Sequence, residues 1–182
     1  MRRLRPRFGW LCAEVLVIGL VVVAMLSSVG QAAPELALPD TAGRTRRLDE
    51  ERGRPVVIVY EDRDATEQNA ALKRELGERA RNRALAHEVT LWPIANLAGL
   101  DFWPARGFAR SAVERAAREY GVEILMDWKG EVARRWGFPA KVSTVVIVDR
   151  AGQVRFRHEG ALSAAERTAF FDALTAVLQE RP

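Results

Sequence analysis

Pro55-Val56-Val57-Ile58-Val59-Tyr60 is a short, unbroken apolar run rich in β-branched residues. A strand with one wet face would alternate apolar and polar residues, and this one does not. Such a run fits a strand covered on both faces, as in a parallel sheet with helices above and below. Thr144-Val145-Val146-Ile147-Val148-Asp149 repeats the pattern. Two strands of this kind, far apart in sequence, predict a layered α/β domain.

Outward from these strands the elements alternate. Upstream, Pro34–Pro39 reads as an extended lead-in, Asp40-Thr41-Ala42-Gly43 as a turn, and Thr45–Leu48 as a small strand. Downstream, residues 65–85 carry Ala70, Ala71, Leu72, Leu76 and Ala80 at helical spacing, with Asp64 and Glu67 in a capping-box pattern. Glu88–Ala95 and Val122–Met126 read as strands, Ser111–Tyr120 as a helix stopped by Gly121, and Glu131–Trp136 as one or two helical turns. After the second buried strand, Arg150-Ala151-Gly152 turns the chain into an alternating strand, Gln153–Glu159. Ser163-Ala164-Ala165-Glu166 is a second capping box, opening a final helix to about Gln179 with Phe170, Leu174, Val177 and Leu178 on one face. This order predicts a mixed sheet with helices on both faces, in one domain over residues 34–180.

The N-terminus is of another kind. Arg2, Arg3, Arg5 and Arg7 precede an apolar run of twelve residues, Val15–Leu26, and then Ser27-Ser28-Val29-Gly30-Gln31-Ala32-Ala33. A basic head, a short apolar middle and small residues at the end form an export signal. Cleavage after Ala32 would leave Gly30 and Ala32 at the two positions that must be small. The competing reading of residues 1–32 is an uncleaved membrane anchor, extended backwards through Phe8–Ala13 and interrupted by Glu14. Both readings place the domain outside the cytoplasm, in the periplasm or tethered to the inner membrane, because the arginines stay inside.

Cys12, the single cysteine, falls within that segment. The formal charge is +4, and removing residues 1–32 takes away four arginines and Glu14, leaving +1. Net charge therefore gives no support to nucleic-acid binding, and membrane contact is expected only through the N-terminal segment.

Asp127–Phe138 followed by Ser143–Val154, with its Thr144 strand and its Asp149-Arg150-Ala151-Gly152 turn, resembles the second half of bacterial redoxins. The resemblance implies a thioredoxin-like three-layer sandwich. It places Ser143 where redoxins carry a cis-proline, and Ala65-Thr66-Glu67-Gln68 where they carry Cys-x-x-Cys. A cis bond before a residue other than proline costs about 3 kcal/mol, so a trans bond is expected at Ser143. Thiol–disulfide exchange and peroxiredoxin-type peroxidase chemistry both need a thiolate, which residues 34–180 do not contain. Asp64–Leu72 (notably Asn69, Ala70 and Leu72), Val142–Phe156 and Glu159-Gly160-Ala161-Leu162-Ser163 resemble the YtfJ-like family of exported thioredoxin-fold proteins of unknown function. That family supplies no catalytic residues to carry over.

Four groups of residues are candidates for a site. Glu61, Asp62, Asp64 and Glu67 cluster after the first buried strand, and Asp62-x-Asp64-x-Thr66 resembles the opening of a calcium loop. The loop's turn glycine is missing, and helix capping explains the acids more simply. Thr66 and Ser143 are placed to face each other across the former redox groove, without a histidine to activate them. His87 and His158, the only histidines, lack the converging ligands of a zinc site and read as solvated strand positions. The fourth is an aromatic-rich stretch, Trp92, Pro93, Leu100, Phe102, Trp103, Pro104 and Phe108, around a loop from Leu97 to Gly107. With Arg106 and Arg110 it would form a partner surface, unless Trp103 and Phe108 tuck into the core. Phe102, Trp103, Arg106 and Phe108 are the binding candidates. The expected function is a non-redox binding or adaptor module for an envelope protein or peptide, with no cofactor. The alternative is an enzyme with cysteine-independent, metal-assisted chemistry in the former groove.

Overall fold

The structure is a computed structural model describing residues 29–81 and 87–180. The N-terminal apolar run and Cys12 lie outside the described residues. Two short strands, β1 (Ala37–Pro39) and β2 (Thr45–Arg47), pair antiparallel and are followed by a 3-10 turn at Leu48–Glu51. The main sheet contains β3 (Val56–Glu61), β4 (Thr90–Asn96), β5 (Leu125–Asp127), β6 (Thr144–Val148) and β7 (Val154–Glu159). Its order is β5-β4-β3-β6-β7. β3, β4 and β5 run parallel, β6 runs antiparallel to β3, and β7 antiparallel to β6. The helices are α1 (Ala70–Arg81), α2 (Ala105–Tyr120), α3 (Glu131–Trp136) and α4 (Ala164–Gln179).

The two runs that predicted the fold pair with each other at its centre, Val56 opposite Val148 and Tyr60 opposite Thr144. Because side chains alternate across a strand, Val56, Ile58 and Tyr60 face one layer and Val57 and Val59 the other. The first layer contains Leu36, Leu38, Trp92, Ile94, Val146 and, from α3, Val132 and Trp136. The second contains Leu72 and Leu76 of α1 with Phe170, Leu174 and Val177 of α4. A smaller cluster of Leu97, Val113 and Met126 seats α2 beside β4 and β5. This is the thioredoxin-like sandwich.

Predicted boundaries moved in two informative places. α1 begins at Ala70 rather than near residue 65, and the Asp64/Glu67 capping box does not form. Asp62 instead accepts from the Asp64 amide at 3.0 Å, and the side chains of Gln68 and Asn69 are drawn into tertiary bonds. α2 begins at Ala105, so Arg106, Gly107 and Phe108 lie in a helical turn rather than in a loop. Pro104 precedes that turn, and the amides of Arg106 and Gly107 donate back to the Phe102 and Pro104 carbonyls at 2.8 and 3.1 Å.

Local signals elsewhere match the geometry. Ser163 and Glu166 close their capping box, with the Ser163 amide donating to Glu166 at 2.7 Å and the Glu166 amide to Ser163 Oγ at 3.3 Å. Those bonds hold the Glu166 carboxyl below its ordinary range. In the Asp149–Gly152 turn, Asp149 Oδ1 accepts from the amides of Ala151 and Gln153 at 2.9 and 2.8 Å. Gly152 has φ +79, a conformation that favours glycine, while the Arg52 guanidinium lying over it is the movable end of an exposed side chain.

Candidate functional site

Register gathers the C-terminal ends of β3, β4, β5 and β7 with the start of β6 at one end of the sheet. The former redox position lies there, and a hydrogen-bonded network fills it. Glu61, the last residue of β3, accepts from Ser143 Oγ at 2.9 Å and from Lys73 Nζ at 2.8 Å. Lys73, on α1, also donates to the Thr66 carbonyl. Asn69 Nδ2 donates to Ser143 Oγ at 2.8 Å and to the Gly160 carbonyl at 2.9 Å, while its Oδ1 accepts from the Leu162 amide at 2.9 Å. Ser143 is fully buried and Asn69 nearly so.

Gln68 and Ser143, the second redox position and the proline position, bond to each other. The Ser143 amide donates to Gln68 Oε1 at 2.9 Å, and Gln68 Nε2 donates to the Lys141 carbonyl at 2.9 Å. The peptide bond before Ser143 is trans. A proline there would have no N–H for Gln68 to bind. Lys141 adopts φ +61, an uncommon conformation for a residue with a Cβ. Asp62 Oδ2 fixes it by accepting from its amide at 2.6 Å, and Asp64 sits 3.5 Å from its Nζ. Ala65, the first redox position, is fully buried.

Several predicted placements differ from this geometry. Thr66 does not face Ser143; it is exposed, and its hydroxyl donates to the Arg63 carbonyl at 3.2 Å. Asp62 and Asp64 serve the Lys141 turn, Glu67 points to solvent, and among the described residues no three acids or histidines gather into a group that could hold a metal ion. His87 lies in an exposed turn before β4, and His158 is partly covered, 3.8 Å from Glu166. The groove offers no accessible hydroxyl nucleophile at Ser143, whose proton is already given to Glu61.

Burial pushes the Glu61 carboxyl above its ordinary value, against the opposing pull of Lys73 and Ser143. From about 4.5, the ordinary value, up to the raised folded value, the native state holds a proton the unfolded chain has released. Stability therefore falls as pH rises through that window. Glu61→Gln cannot titrate, so its urea-unfolding free energy, measured from pH 4 to 8, should lack this decline. Parallel pH profiles for the two proteins would remove Glu61 as the source.

The aromatic stretch lies at the same end of the sheet, beyond β4. Trp92 is core, but Trp103 is 91% exposed, Phe108 75% and Phe102 59%, with Leu100 beside them at 37%. Trp103 and Phe108 thus do not pin the loop. Leu97 does, buried at its base with its amide donating to the Asp127 carbonyl at 2.9 Å. Arg106 braces the turn from its exposed side, 2.5 Å from Asp101 and stacked over the Trp128 ring at 4.9 Å. Arg110 pairs with Glu114 at 3.2 Å. Phe102, Trp103 and Phe108 are all exposed within one seven-residue stretch, and Arg106 holds the turn between them through Asp101 and Trp128.

Comparison with known proteins accords with this picture. The family described as bacterial protein of unknown function (YtfJ_HI0045) matches residues 54–176, two thirds of the chain. The chain belongs to the YtfJ family. No curated protein matches its sequence. Among solved structures, it is similar to an uncharacterized conserved protein from Geobacillus kaustophilus at TM-score 0.64 and 21% identity, covering 85% of this chain and 84% of that one. It is also similar to the exposed lipoprotein thioredoxin Etrx1 of Streptococcus pneumoniae strain TIGR4 (TM-score 0.60, 17% identity, 78% and 98% covered). A thiol peroxidase from Chromobacterium violaceum gives TM-score 0.59 and 18% identity over 81% and 86% of the two chains. At these identities the likeness shows the thioredoxin fold. This YtfJ-family chain carries that fold with Ala65, Gln68 and Ser143 where the redoxin resemblance expects two cysteines and a proline.

The sequence pointed to Ala65, Gln68 and Ser143 through what they replace, but it missed the roles of Glu61 and Lys73. Asn69 entered only as part of a family pattern. The joint absence of both cysteines and the proline is the one signal in the sequence that this end of the sheet is held differently from a redoxin's.

Proposed function

We propose that the protein is an exported, non-redox binding module of the bacterial cell envelope, docking a protein or peptide partner through Phe102, Trp103 and Phe108. The observation that carries this reading is the exposure of three aromatic side chains on a braced turn. Exposed aromatics on a fixed scaffold bind at low entropic cost, and clustered aromatics dominate the energetics of interfaces. The sealed network at Ser143 supports binding over catalysis.

Photo-crosslinkers placed in cells at positions 102 and 103 should yield discrete adducts, while one at the exposed Glu78 of α1 should not. Combining Trp103→Ser with Phe108→Ser should leave unfolding stability within about 0.5 kcal/mol, as for other exposed positions. Read from the crosslinker at position 102, the same pair should cut the adduct yield about tenfold or more, as expected for interface anchors. Equal adducts at position 78, or adducts insensitive to the double substitution, would reject the patch as the docking surface.

A further inference from the structure

The segment after the N-terminal apolar run is built into the sheet. The Gly30 amide donates to the Val154 carbonyl at 2.6 Å, the Val154 amide donates to the Gln31 carbonyl at 2.8 Å, and the Ala33 amide donates to the Gly152 carbonyl at 2.8 Å. Ala32 bridges antiparallel to Gln153. β7 is the outer strand of the sheet, and this segment supplies its missing neighbour at the Val154 end. Gln31, Ala32 and Pro34 also wall a cavity of about 150 Å³ over Trp136, Val146 and Val154. Ala33 packs against the first core layer.

We propose that maturation leaves Gln31–Ala33 on the domain as a strap closing the edge of β7. Ala32 is then not the last residue of a removed signal. A cut after Ala32 would delete the Gln31 carbonyl and leave the Val154 amide without its protein acceptor. It would also uncover an outer strand able to pair with other chains. The small-residue requirement can be met two residues earlier, with Ser28 and Gly30 before a cut that leaves Gln31 first. With no cut, the strap joins the domain directly to the apolar run. In both cases the mount is the Val154 end of β7, opposite in strand direction to the end bearing the aromatic turn. The proposal does not depend on what that turn binds.

The test uses the full chain expressed in a bacterium and purified as the cell leaves it. N-terminal sequencing and intact mass should place the first residue at Gln31 or earlier. Hydrogen exchange on the same material should show the Val154 amide slowed by roughly 100-fold or more relative to an unstructured peptide, as for a paired sheet amide. A first residue at Ala32 or later overturns the proposal. A freely exchanging Val154 amide in an otherwise protected sheet overturns it as well.

Discussion

Asn69→Ala should lower unfolding stability by about 3 kcal/mol, roughly the cost of leaving two or three buried polar groups without partners. Asn69 is 2% exposed and joins three segments, the start of α1, the entry to β6 and the turn before α4. Removing its amide leaves the Leu162 N–H without an acceptor, and the Gly160 carbonyl and Ser143 hydroxyl without a donor. Water replaces these bonds poorly at a site this closed. For a domain of this size the shift in Tm is about 6–12 °C. Urea unfolding measures the free energy, and hydrogen exchange at Leu162 reports locally, since that amide should lose protection beyond the global change. A loss below about 1 kcal/mol would mean that the network is wet or redundant.

Asp127→Ala should have an effect as large or larger, about 3–5 kcal/mol, because it leaves three donors without their acceptor at about 1–3 kcal/mol each. Asp127 is 1% exposed and ends β5. It accepts from the Tyr60 hydroxyl at 3.0 Å and from the amides of Glu131 and Val132, at the start of α3, at 2.9 Å each. Burial, and then the charge of Asp127, raise the Tyr60 phenol well above its ordinary range, so it remains a donor. Alanine would orphan all three donors beneath α3 and loosen the stack in which Phe138 packs between Tyr60 and Trp136. Tyr60→Phe removes one donor together with its need and should cost about 1 kcal/mol. The double variant should then be less destabilised than the sum of the singles, by about 0.5 kcal/mol or more. Strict additivity would contradict the contact.

The strands of the sheet were legible because Val56–Tyr60 and Thr144–Val148 carry their burial in composition; both faces must be apolar when both are covered. Turns and caps were legible for a similar reason, since Asp149–Gly152 and Ser163–Glu166 satisfy their backbone groups locally. The start of α1 was not legible. Gln68 and Asn69 have ordinary helical propensity, but their side chains serve segments over 70 residues away. Glu61, Asn69 and Ser143 form one network only because β3 and β6 pair, a relation that no local spacing encodes. The aromatic turn was found as a cluster, while its exposure depended on α2 burying only Val113 and leaving Phe108 outside.

The bond between Gln68 and the Ser143 amide makes a redoxin-type cysteine pair hard to install here one substitution at a time. Ser143→Pro would remove the N–H that Gln68 holds, and Gln68→Cys would abandon both that N–H and the Lys141 carbonyl. Ala65→Cys would set its sulfur at a fully buried position, away from any substrate disulfide. The first two steps weaken the present junction, and the third adds a thiol that is shut away from solvent. A working cysteine pair could therefore be engineered here only by changing Ala65, Gln68 and Ser143 together with the turn at Lys141, because the backbone is held by the side chains that would have to go.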